Sequence, residues 1–259
     1  MTEVQGGLLP HLRELRRRLM IAGGVYMLGV AILMNWSAPV FNFMAAPLLA
    51  ALPAGTPMIF LSAPDVFFTY LKIALLGSLF LTSPITFYQA WAFVAPGLYR
   101  QERRLFSFSV AGSVALFTVG GAFAYYIVFP LIFQFFLGFA TDQIHAMPAV
   151  REYLSLFMKL LFAFGLSFEI PIILVLAVRL GLTTPDRLAG QRRYVIVWAF
   201  IAAAILTPPD IISQVLLALP ILVLFEIGLV LARAGGKNEG EDVADFDNDL
   251  PVDERGKED

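Results

Sequence analysis

HLRELRRRLMIAGGVYMLGVAILMN, residues 11–35, places four arginines in its first eight positions and then runs to Asn35 without another charge. A bilayer core of roughly 30 Å needs about 20 apolar residues in a helix, and this run is long enough. A cleavable signal peptide has a shorter apolar core, about 7–15 residues, and ends on small residues. Here the run ends at Asn35-Trp36 with more apolar segments behind it, so it reads as an uncleaved first span. Composition agrees: 59% of the 259 residues are apolar and only 15% are charged. An ordinary soluble domain is about 45–50% apolar and about 25% charged.

Six stretches qualify or nearly qualify as spans: about 19–36, 66–94, 106–137, 153–178, 194–206 and 211–232. The second and third are long enough to tilt or to project beyond the hydrocarbon. The fifth, Tyr194 to Leu206, rises only about 20 Å and needs thinned lipid or neighbouring helices. The expected fold is therefore an all-α integral membrane protein with six transmembrane helices, the last two short.

Basic residues set the expected orientation. Arg13, Arg16, Arg17 and Arg18 precede span one, and Arg100, Arg103 and Arg104 lie between spans two and three. Arg179, Arg187, Arg192 and Arg193 lie between spans four and five, and Arg233 and Lys237 follow span six. The alternate loops, 37–65, 138–150 and 207–210, carry none. The positive-inside rule then puts both termini in the cytoplasm. The loop 37–65 holds Pro39, Pro47, Pro53, Pro57 and Pro64, which favours turns over a seventh span. Its PLLAALP stretch reads as a short amphipathic segment lying along the membrane surface.

The net charge of −2 averages two unlike pieces. Residues 1–236, the expected membrane domain, have ten acidic and fifteen basic side chains; residues 237–259 have ten acidic and three basic. That tail has few apolar residues and reads as disordered and solvated.

Within a bilayer, the informative residues are the costly ones. Glu169 lies deep in span four, where a carboxylate costs roughly 2.5–3.5 kcal/mol and normally faces protein or water. Pro171 leaves the carbonyl of Ser167 without its helical partner. Lys72 and Lys159 lie near span ends and can extend to the headgroups. Glu226 is within two turns of Arg233 and reads as an interfacial residue. In LTPPDIISQ, residues 206–214, the prolines end one helix and Asp210 can cap the next. Thr207 and Gln214 extend polarity into the membrane on either side of that turn. With Glu169 they are candidates for a polar patch at helix contacts. Glu14 is the only acid among the N-terminal arginines, and Glu102 the only acid in APGLYRQERR. From spacing, each is a solvated charge or a local Glu–Arg pair.

There is no cysteine, which excludes disulfides and thiolate metal sites; His11 and His145 are the only imidazoles. The GGK at 235–237 is not a phosphate-binding loop, since Leu231 stands where that pattern needs glycine. No hydrolase or metalloprotease motif is present. The basic residues follow topology and do not indicate nucleic-acid binding. Expected, then, are no catalytic residues, no metal and no cofactor.

HLRELRRRL, APLLAALPAG, SPITFYQAWAFVAPGLYRQERR, FGLSFEIP, LTPPDIISQ and FEIG occur in an order that resembles TatC, the multispan receptor of the twin-arginine protein translocase. The resemblance covers residues 8–233. It implies a prokaryotic inner-membrane receptor for twin-arginine signal peptides on folded cargo, with Glu14 and Glu102 forming the signal site beside Arg16 and Phe93. It implies functional roles for Glu169, Thr207 and Gln214 in the membrane and for Pro47 and Asp210 at the outer face. Its expected partners are TatA- and TatB-type single-span proteins and further copies of itself, with energy from the proton gradient. Two other readings of the residues are a small proton-coupled solute transporter using Glu169 and a pure assembly scaffold.

Overall fold

The computed structural model describes residues 8–53, 56–94, 103–139, 147–206 and 211–248, and side chains within them other than those of 8–11, 103–105 and 235–248. The described residues are helical: α1 Leu8–Asn35, α2 Ser37–Ala51, α3 Ala63–Val94, α4 Arg103–Phe123, α5 Phe129–Leu137, α6 Val150–Ser167, α7 Ile170–Arg179, α8 Pro185–Gly190, α9 Arg192–Leu206 and α10 Ile211–Asn248. The only β-type pairing among them is one isolated bridge, between Ile59 and Ala149.

Five segments are long and apolar enough to cross a membrane: Leu12–Asn35, Ala63–Val94, Phe106–Leu137, Val150–Arg179 and Ile211–Ala234. The expected fifth span is α9, whose 15 residues reach about 22 Å. The expectation that the last span is also short is corrected. Its apolar part has 24 residues, about 36 Å, because nothing after residue 232 breaks the helix. Beyond it α10 continues to Asn248, through the first half of the acidic segment.

Proline sets both breaks inside the long segments. Pro130 cannot donate to the carbonyl of Tyr126, and the third segment answers with a π-helical turn, Ala124–Val128, between α4 and α5. There the Phe129 N–H reaches five residues back, to Ala124. Pro171 acts likewise in the fourth segment. The helix stops at Ser167, the Glu169 N–H turns to Leu166 at 3.1 Å, and α7 starts at Ile170. A side chain at Gly120 would lie 2.6 Å from the Phe164 carbonyl, so glycine permits the α4–α6 crossing. At Gly228 it would lie 2.8 Å from the Cα of Pro171, which seats α10 against α7.

The loop at 37–65 departs from expectation. Instead of turns and a short amphipathic piece, residues 37–51 form one helix that carries no charge. PLLAA is its last turn, and Met44, Ala45 and Leu48 are buried. The reason is tertiary. Pro47 strips the Phe43 carbonyl of its helical donor, and the Tyr125 hydroxyl donates to that oxygen at 2.7 Å. Tyr153 donates to the next carbonyl, Met44, at 2.5 Å. Phe43 and Tyr125 also stack, centroids 4.6 Å apart.

The same end is stitched further along. Ile59 donates to Pro148 at 3.2 Å and accepts from Val150 at 2.8 Å. Asp65, 7% exposed, accepts from the Ser62 N–H and lies 3.6 Å from Arg151. Beneath this cap sits the main core, built on Phe129, Phe157, Phe164, Leu154 and Ile132.

Candidate functional site: a carboxylate at the basic end and a buried glutamate

α1 and α3 run antiparallel in close contact. Gly29 faces Ser78, whose hydroxyl donates to the Tyr26 carbonyl at 2.7 Å. Further toward the basic end, Arg18 meets Gln89, with Nη1 3.4 Å from Oε1. The same antiparallel register brings Glu14 level with Phe93, one helical turn beyond. Glu14 and Phe93 therefore belong to one region. Glu102 lies outside the described residues.

The Glu14 carboxylate is occupied. Nε and Nη2 of Arg18, one turn along α1, donate to its Oε1 at 3.0 and 2.6 Å. A glutamate four residues before an arginine is the favourable order on a helix. The side chains are 43% and 22% exposed respectively, so Glu14 remains open to solvent while Arg18 is tucked toward α3. Arg16 is exposed and, two residues from Glu14, points from the opposite side of α1. It does not share the Glu14 face.

Glu169 sits at the α6–α7 break, 4% exposed. Trp91 Nε1 donates to Ser113 Oγ at 2.9 Å, and Ser113 lies beside the Glu169 carboxyl. Among the described residues, Oε1 of Glu169 has no hydrogen-bond partner. The carboxyl is, among the described residues, the only ionisable group lining a groove of about 570 Å³ whose walls include Phe87, Trp91, Leu166, Ile173 and Leu176. A buried carboxyl with one unmade bond, beside an apolar groove, suits a polar group carried on an apolar helix.

Gln214 is elsewhere. Its Nε2 donates to the Phe200 carbonyl at 3.0 Å and ties α10 to α9. Gly228 packs on Pro171, and Gln214 is fourteen residues, about 21 Å along the helix, from that level. The structure thus sets Gln214 apart from Glu169 rather than joining them in one patch. Thr207 and Asp210 lie outside the described residues. Glu226 is exposed and pairs with Arg192, at 2.7 and 2.8 Å, while Arg233 lies 3.8 Å from Asp186.

Sequence reasoning missed Gln89, Trp91 and Ser113 as supports of these carboxylates, and Tyr125 and Tyr153 as partners of the Pro47 helix. Their one available signal was polarity inside apolar segments. The Glu14–Arg18 pair was legible from its four-residue spacing.

Residues 10–220 match the family model for the Sec-independent protein translocase protein TatC. The chain belongs to the TatC family. It is 45% identical over 235 residues to a TatC protein of Desulforapulum autotrophicum, covering 90% of this chain and 86% of that one. It is 41% identical over 237 residues to TatC of Escherichia coli K12, covering 90% and 92%. Crystal structures of the twin-arginine translocase receptor TatC superpose with TM-scores of 0.79 and 0.78, at 41% and 40% identity. The first covers 87% of this chain and 99% of its own. The chain is accordingly a multispan membrane core subunit of the twin-arginine translocase, a protein-transport component and not an enzyme. The solute-transporter reading finds no support in these likenesses.

Proposed function

We propose that this chain is the receptor for twin-arginine signal peptides, and that Glu14, with Glu102 and Phe93, forms the binding site at the basic end. One observation carries the reading: Glu14 already holds a guanidinium through two N–H donors while staying half exposed. An arginine presents a planar fork to a carboxylate, which a lysine ammonium does not reproduce. Two acidic residues at this end would favour an arginine pair over a lysine pair by geometry as well as charge. Arg16, on the far side of α1, would act through the general field of the site. The test is titration of a twin-arginine signal peptide and its twin-lysine version into the purified protein. Glu14→Ala and Glu102→Ala should each weaken twin-arginine binding at least tenfold; equal binding of both peptides by every variant removes the assignment.

The accompanying topology is six spans, with α9 as the short fifth, and with the basic end and both termini in the cytoplasm of a prokaryotic inner membrane. Residues 237–259 form a cytoplasmic tail outside the membrane domain 1–236. Because the chain has no native cysteine, Ala54→Cys and Asn238→Cys provide clean labels. An impermeant reagent applied outside should reach only the first, and labelling of the second would reverse the orientation.

TatA- and TatB-type single-span helices are the proposed partners, alongside further TatC copies, with transport driven by the proton gradient. The Glu169 groove supports this reading because it offers an unpaired carboxyl oxygen in an apolar wall. The α9–α10 pair, with Thr207, Asp210 and Gln214, offers a second contact beside a helix of only 15 residues. Pro47 supports partner docking indirectly by shaping the opposite cap. Site-directed crosslinks that leave both places unlabelled by partner helices would exclude them.

A further inference from the structure

We propose that Arg18 is an internal competitor for Glu14: its guanidinium occupies the carboxylate that an incoming signal arginine must take, and it thereby sets the affinity threshold of the site. This inference rests on the signal-binding reading above and assigns a regulator to that same site.

Two arginines of α1 stand within helical reach of Glu14, Arg17 at three residues and Arg18 at four. The structure selects Arg18, and α3 supplies the reason. Gln89 accepts from Nη1 of Arg18 at 3.4 Å, so this side chain is held from two helices. Its Nε and Nη2 both converge on Oε1 of Glu14. An arginine from a signal peptide cannot make two parallel bonds to that carboxylate while Arg18 stays in place. Arg18 must swing away first. The swing is feasible because a partly exposed pair four residues apart on a helix is weak. Gln89 is also there to keep a partner on the departing guanidinium.

Competition of this kind acts on every cation that uses Glu14, and more on a fork, which needs both carboxylate oxygens, than on an ammonium, which needs one. Arg18 is therefore a threshold residue.

The experiment compares twin-arginine and twin-lysine peptides on full-length wild type, Arg18→Gln, Arg17→Gln and Glu14→Gln. Arg17→Gln removes the same charge from the same helix without touching Glu14. Arg18→Gln should bind both peptides about two- to fivefold more tightly than Arg17→Gln does, the range that an exposed pair can contribute. Arg18→Lys, which keeps the charge but loses the fork, should shift in the same direction by less; it carries the test should Arg18→Gln not fold. If neither Arg18 variant binds more tightly than Arg17→Gln, or if both bind more weakly, Arg18 is a support for Glu14 and the competitor is overturned. That outcome leaves wild-type preference for twin arginine intact. Failure of the receptor reading looks different: wild type binds both peptides equally and Glu14→Gln changes nothing, which also overturns the competitor.

Discussion

The two ends of this molecule hold their polar groups in opposite ways. At the capped end, uncharged bonds join residues far apart in the chain and most are shielded: Tyr125 to Phe43, Tyr153 to Met44, Ile59 to Val150; the Asp65 carboxylate, though paired with an exposed Arg151, is itself buried. At the basic end the pairs are ionic and open to water. Glu14 with Arg18, Arg192 with Glu226 and Arg233 with Asp186 all have at least one side chain more than 40% exposed. Buried neutral bonds are costly to leave unmade, because water cannot replace the lost partner. Exposed ion pairs exchange partners cheaply, because water and other ions can. The capped end is thus built to stay as it is, and the basic end is built to trade partners, which suits a surface that receives a charged ligand.

The largest expected effect breaks the capped end. Tyr125→Phe leaves the Phe43 carbonyl without its hydroxyl donor and should lower stability to denaturant by about 1–3 kcal/mol. The cause is specific to Pro47, so a double-mutant cycle sharpens it. In a Pro47→Ala background the chain regains an N–H for that carbonyl, and the cost of Tyr125→Phe should fall by at least half. Equal costs in both backgrounds would mean that the hydroxyl acts on something other than the orphaned carbonyl.

A smaller effect is expected at the basic end. Arg192→Ala removes a well-aligned pair, yet both side chains are about half exposed, so the loss should stay under about 1 kcal/mol. Melting at low and high salt checks it, since screening should shrink the difference further. The smallest change belongs to Glu14→Gln. Its effect on melting should be below about 0.5 kcal/mol, even though its effect on peptide binding is large. A stability loss matching that of Tyr125→Phe would erase the contrast between the ends.

The spans were legible because a bilayer demands long apolar runs, and any sequence that meets the demand shows it. Each proline marks a lost N–H in the sequence, but not whether the helix breaks there. The chain breaks at Pro130 and Pro171 and stays helical through Pro47, Pro84 and Pro220. Glu14 and Arg18 could be paired on paper because a helix brings residues four apart onto one face. The partner of Glu226 could not. Arg233 is nearer in sequence, but Arg192, 34 residues away, is nearer in space because α9 folds back along α10. Polarity within the apolar segments had suggested that Glu169 and Gln214 belong together. Helix length decided otherwise, since Gln214 sits some 21 Å along α10 from the level of Pro171.

What residue order alone determined were the properties that act within a few residues: membrane class, the positions of the five long apolar segments and the charge bias from loop to loop. Tertiary structure decided which polar groups meet. It gave the Phe43 carbonyl to Tyr125, 82 residues away. It gave Arg18 a second anchor on Gln89, 71 residues away. It left Oε1 of Glu169 without a bond among the described residues. The physical reason is range: backbone sterics and hydrophobic period act locally, whereas a hydrogen bond acts over about 3 Å between whichever groups packing brings together.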